Sequence, residues 1–79
     1  MSFDRTHYQI VIASDVSERD GVGVEIHRGK DLLIEIFRDD TERSREITMF
    51  SQRISLEEME GFIQIFKDEI PWDFIDYDE

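Results

Sequence analysis

Along the first fifty residues the apolar positions recur every second residue, in four bursts separated by polar stretches. In HYQIVIA, residues 7–13, Tyr8, Ile10 and Ile12 fall on one side of an extended chain and Gln9, Val11 and Ala13 on the other. VGVEIH, residues 22–27, alternates cleanly. LLIEIFR, residues 32–38, is apolar on both sides, and REITMF, residues 45–50, puts Ile47 and Met49 inward and Thr48 and Phe50 outward. Four strands are predicted, over about 7–14, 22–28, 31–38 and 45–50. SDVSERDG, closing on the Asp20-Gly21 pair suited to positive φ, then RGKD and DDTERS read as the connections between them.

After residue 54 the period lengthens. Leu56, Met59, Phe62, Ile63, Phe66 and Ile70 share one arc of about 120°, with Glu57, Glu60, Gln64, Lys67 and Asp68 opposite, which predicts an amphipathic helix over about 55–70. Ser55 and Glu58 form a capping box, Ile54 and Met59 a hydrophobic staple, and Pro71 ends the helix. Ile65, one turn from Gly61, lies off the arc and is expected to be exposed.

Connections this short require antiparallel neighbours. The expected fold is therefore α+β: a four-stranded antiparallel β-meander with one C-terminal amphipathic helix packed on one face (ββββα), followed by an aromatic tail over 71–79, all within a single domain spanning 1–79. The second connection sets the register. A two-residue loop at Gly29-Lys30 would put Val24 and Ile26 on the face of Leu33 and Phe37, burying Glu35. A three-residue loop aligns them with Leu32, Ile34 and Ile36 and is favoured.

One helix covers one face. On the other, Val11, Ala13, Leu33, Phe37 and Phe50 remain among Glu25, Glu35, His27 and Thr48, more apolar surface than a water-facing sheet usually presents. The tail sequence IPWDFIDYDE offers Trp72, Phe74 and Ile75 either as cover, folding back at the sheet's edge in an alternation that fits a short fifth strand, or as a displayed docking peptide. Leu33, Phe37, Phe50, Val11, Trp72 and Phe74 are thus the candidate interaction surface.

Charge narrows the choice of partner. The net charge is -11, and residues 55–79 hold nine acids against Lys67 alone. Such a field repels phosphate backbones and anionic lipid and attracts basic proteins. Seventy-nine residues allow one compact core. With no cysteine, no apolar leader in MSFDRTHYQI and no long apolar run, the expected protein is soluble and cytoplasmic.

Catalytic chemistry has few candidates. His27 and Glu25 share the outer face, and His7 opens the first strand, so a His–Glu pair is geometrically possible. The serines sit in turns or caps, outside any nucleophile-elbow setting. Asp39, Asp40 and Glu42, or Asp73, Asp76, Asp78 and Glu79, supply oxygens without a calcium-loop spacing, and the glycines of DGVG and RGK precede no helix. No catalytic residue, cofactor or metal is assigned. Four strands and a helix also resemble the single-stranded-DNA-binding coactivator fold, but Arg38, Arg43, Arg45 and Arg53 are matched by Asp39, Asp40, Glu42 and Glu46, which argues against nucleic acid.

The hairpin GVGVEIHRGKDLLIEIFRDD, the helix SLEEMEGFIQIF and the tail IPWDF together resemble small bacterial proteins with a four-stranded meander followed by a helix, over residues 8–75. That resemblance implies the fold and supplies no activity. A generic likeness to immunity or antitoxin partners of basic enzymes points the same way as the charge. The expected function is a non-enzymatic protein-interaction domain, homodimeric or docked on a basic protein. A small-ligand or catalytic module on the outer sheet face is the alternative.

Overall fold

The computed structural model describes residues 3–16 and 19–76. A 3-10 turn at Arg5–His7, capped by the Asp4 carboxylate on the Thr6 amide, leads into β1 (Gln9–Asp15), β2 (Gly21–Arg28), β3 (Asp31–Asp39), β4 (Ser44–Met49) and α1 (Leu56–Glu69). All neighbours are antiparallel, in the order β1-β2-β3-β4. This is the expected ββββα meander. The capping box forms as read, with Ser55 Oγ accepting from the Glu58 amide and Glu58 from the Ser55 amide.

The β2–β3 connection corrects one expectation. Arg28 pairs with Asp31 across a two-residue turn, Gly29-Lys30, whose Gly29 has φ +62°. A bulge then moves the register, so Ile26 faces Ile34 and Val24 faces Ile36, the alignment expected from a longer loop. The extra residue is Leu33, which turns toward the core under the helix. Gly21 likewise serves a different need from the one read in Asp20-Gly21. Its φ is not positive, and a Cβ there would stand 1.8 Å from the Arg38 carbonyl oxygen.

Val24, Ile26, Leu33, Ile34 and Ile36 form the sheet's half of the core, and Phe62, Ile65, Phe66 and Ile70 the helix's half. α1 lies against β2. A helix about 10 Å wide spans little more than two strands spaced about 4.8 Å apart, so the edge rows are left partly open. Ile12 on β1 and Ile47 and Met49 on β4 face the helix side yet stay exposed.

Around the helix, two expectations are reversed. Leu56, placed in the buried arc, is 69% exposed, and Ile65, placed outside it, is 2% exposed. Ile65 joins the buried core cluster of the helix and sheet. Phe3 lies flat where a Gly61 side chain would be, within 2.5 Å of a Cβ built there, and packs edge-on to Phe62, so the flank holding Gly61 is covered. Arg5, in the same segment, pairs with Glu69.

Candidate functional site

The outer sheet face is less open than its apolar residues imply. Arg19, from the β1–β2 connection, folds over it and donates through Nη1 and Nη2 to the two Glu35 carboxylate oxygens, at 2.9 and 3.1 Å. Its guanidinium lies 3.9 Å above the Phe37 ring and also reaches Asp15 at 3.3 Å. The Glu35 hydrogen bonds push the Arg19 pKa further up, so the cation persists. Glu35 is consequently buried after all, paired in place, and Phe37 is 1% exposed. Gly23 completes the enclosure, since it sits across from Phe37 and a Cβ there would lie 2.3 Å from the Ile36 carbonyl oxygen. Gly23→Ala is expected to cost about 1–3 kcal/mol through forced separation of β2 and β3, read as a lowered urea midpoint; an unchanged midpoint would show that the strands part freely.

Of the candidate interaction residues, therefore, Leu33 and Phe37 are buried within the chain and offer no surface. Val11 is exposed on the outer face, and Phe50 is exposed just past β4. Trp72 is exposed and Phe74 half-buried.

The tail folds back, onto the helix side of the sheet at the β3–β4 end. Arg38, which the alternation of β3 turns to that side, is buried and forms a two-pronged pair with Asp40, Nε to Oδ1 at 2.9 Å and Nη2 to Oδ2 at 3.1 Å. Its remaining Nη1 donates to the Pro71 carbonyl at 2.7 Å, and Asp40 Oδ1 accepts from the Ile75 amide at 3.0 Å. Arg45, the next cation on that row, donates to the Trp72 carbonyl at 2.7 and 3.1 Å and stacks on Trp72 and Phe74 at 3.8 and 4.2 Å. Trp72 also meets Phe66 edge-on. Residues 72–76 add no fifth strand, while Tyr77 to Glu79 lie outside the described residues.

Arginines read in the sequence as balanced surface charge thus carry the tail, and the signal was there: on the β3 row set by Ile34 and Ile36, position 38 points to the core side. The bridging partner lies 33 residues away at Pro71 and could not be read locally.

At the opposite end, the 3-10 turn and the start of α1 bound an open groove of about 490 Å³ lined by Phe3, Asp4, His7, Tyr8, Ser55, Glu57 and Glu58. Glu58 is its hub. One oxygen completes the capping box, and the other accepts from the Tyr8 hydroxyl and from Arg28 Nη1 at 3.0 Å. The Tyr8 hydrogen bond holds the Glu58 carboxyl below the usual glutamate range, and burial, then Glu58, pushes the Tyr8 phenol up. A depressed carboxylate stabilises the fold above its ordinary pKa and loses that contribution as pH falls through the lowered value, whereas the raised Tyr8 loses its contribution as pH rises through its own. Tyr8→Phe should therefore make the acid limb of the stability curve shallower in urea melts at descending pH. A limb parallel to wild type would remove Tyr8 from the account.

His27 and Glu25 do come together on the outer face. Nε2 stands 3.6 Å from Glu25 Oε1, within ion-pair distance but beyond hydrogen-bond reach, and that buried nitrogen has no hydrogen-bond partner among the described residues. His7 lies apart from them, beside Asp4 at 3.5 Å. No group of three or more possible metal ligands occurs among the described residues, and no helix among them is long and apolar enough to cross a membrane.

The surface that remains is segregated by charge. Glu57, Glu60 and Asp68 are exposed on α1 and have no basic partner among the described residues, while Glu58 and Glu69 are engaged. Along residues 43–53, by contrast, three arginines face one glutamate, beside the half-exposed Ile47, Met49 and Phe50. No protein-family model, no curated protein and no solved structure matches this chain.

Proposed function

We propose that the protein acts without catalysis, by docking the acidic solvent face of α1 onto a basic protein. The observation that supports this is the row of exposed carboxylates at Glu57, Glu60 and Asp68, none with a basic partner among the described residues and Asp68 held only by the neutral Gln64 amide, carried on a helix whose opposite side is locked into the core. Uncompensated charge on a rigid element raises the association rate with an oppositely charged partner and orients the encounter. A basic enzyme held by an immunity-like inhibitor is one form of such a pair. Affinity capture from the native host, with wild type beside the Glu57→Gln/Glu60→Gln/Asp68→Asn variant, tests it. Wild type should retain a basic protein that moderate salt releases, and the variant should retain roughly tenfold less. Equal retention by both would sink the reading.

A second reading, a small-ligand or catalytic module on the outer face, draws on the buried His27 Nε2, which makes no hydrogen bond among the described residues and stands 3.6 Å from Glu25. Ligand binding to the folded state alone raises the melting temperature. A shift with a small molecule that disappears in His27→Ala would favour this module over the docking protein.

A further inference from the structure

We propose that the groove between the 3-10 turn and the start of α1 receives an arginine side chain of the basic partner, its guanidinium laid against Phe3 and Tyr8 and held by the Asp4 and Glu57 carboxylates. This contact rests on the docking reading above, since Glu57 belongs both to the acidic face of α1 and to the groove.

The lining defines which groups are available. Three carboxylates line the groove, Asp4, Glu57 and Glu58, and among the described residues no lysine or arginine does. Glu58 is already occupied by the Ser55 amide, the Tyr8 hydroxyl and Arg28, which reaches it at 3.0 Å without lining the groove. Asp4 accepts from the Thr6 hydroxyl and amide through Oδ1 alone, and the hydroxyl bond holds its carboxyl below the usual aspartate range. Its Oδ2 stands 3.5 Å from His7 Nε2. Glu57 is exposed and has no basic partner among the described residues. Asp4 Oδ2 and the Glu57 carboxylate therefore remain to receive donors. The start of α1 adds about +0.5 charge, less than either carboxylate carries, and the capping box already engages its amides, so the groove stays negative.

Charge and shape together select the occupant. An anion is repelled, and a neutral apolar group would strip water from Asp4 and Glu57 and return no hydrogen bond. A lysine ammonium is a compact, strongly hydrated point charge that gains little from a ring. A guanidinium is planar and weakly hydrated, so it stacks on an aromatic face while its edge donates to carboxylates beside it. The aromatic wall is ready before any partner arrives. Phe3 and Tyr8 are half-buried and stack within 12° of parallel, and Phe62 stands edge-on to both, so little ordering is left for binding to supply. At about 490 Å³ the groove admits a long side chain with its alkyl stem along the rings.

Titration of the full chain with the peptide acetyl-Gly-Arg-Gly-amide, followed by amide chemical shifts, tests the site. Shifts should gather at Phe3 to Tyr8 and Leu56 to Glu58, with a roughly millimolar dissociation constant. The lysine peptide should bind roughly threefold to tenfold more weakly, and the neutral citrulline peptide should leave these amides unmoved. Glu57→Gln should weaken the arginine peptide roughly threefold. His7→Lys places a cation in the groove while Glu57, Glu60 and Asp68 stay intact, and it should weaken the peptide roughly tenfold. The His7 side chain is 73% exposed, so this variant should keep the native circular dichroism. No shifts, shifts as large around Asp68 as in the groove, or an equal response to citrulline overturns the site. Equal binding of arginine and lysine overturns the guanidinium assignment. In the capture experiment, full retention of the basic protein by His7→Lys overturns the groove and leaves the docking face standing. Failure of wild type to retain any basic protein sinks the docking reading alone, because the peptide shifts are read without a partner.

Discussion

Asp40→Ala should lower stability by about 3–5 kcal/mol, because it leaves the Arg38 guanidinium buried with its counter-charge gone. The Arg38 and Asp40 side chains are 4% and 1% exposed, so water cannot take the lost partner's place. A chain of 79 residues has about 4–12 kcal/mol in total, and each kcal/mol is worth about 4–8 °C of melting temperature. The variant should therefore melt tens of degrees lower or fail to fold. Arg38→Met/Asp40→Leu separates charge from packing: replacing both members of a buried pair by apolar groups is often neutral, so the double variant should recover most of the loss. Cutting the chain after Pro71 should cost less than Asp40→Ala, since Arg38 keeps both Asp40 and the Pro71 carbonyl. Thermal melts of the three variants would give that order. A harmless Asp40→Ala would mean that the pair is not what secures the tail.

Phe62→Ala should cost about 3–5 kcal/mol, the transfer of a phenyl ring plus the cavity it leaves. Phe62 is fully buried and is the point where three segments meet. Its ring stands edge-on to Phe3 at 5.7 Å and to Tyr8 at 5.1 Å, while Phe3 and Tyr8 stack on each other at 5.2 Å. The loss should spread to the N-terminal segment, and hydrogen exchange at Arg5 to Ile10 should rise together with that of α1. Phe62→Leu fills most of the space and should retain cooperative melting. If Phe62→Ala lowers stability but leaves the N-terminal amides protected, the aromatic cluster does not tie that segment to the helix.

The strands and the helix were legible because each depends on a local period and local stop signals. Val24 and Ile26 do align with Ile34 and Ile36, although through a two-residue turn, a bulge and a buried Glu35 in place of the three-residue loop expected, and the Ser55–Glu58 box and Pro71 bounded the helix. The candidate surface was legible only in part. Phe50, Val11 and Trp72 are exposed, but Leu33 was drawn to the core by a bulge and Phe37 was closed over by Arg19. A bulge depends on a single turn's geometry, which RGKD does not reveal. Arg19 lies 16 residues from Glu35, and its polar surroundings gave no sign that it would cover an aromatic ring.

By itself the sequence determined the order of elements, their antiparallel pairing, the side of the sheet on which the helix lies and the concentration of acid in the last third. Those properties follow from periods, connection lengths and formal charge, all of which are local or additive. Only the tertiary structure decided which exposed positions survive: that Ile65 is covered and Leu56 is not, that the tail is clamped by Arg38 and Arg45, and that β4 keeps an open apolar edge. Burial is set by what a distant segment brings alongside, and neither the Phe3 ring over Gly61 nor the Pro71 carbonyl on Arg38 is written in the residues it meets.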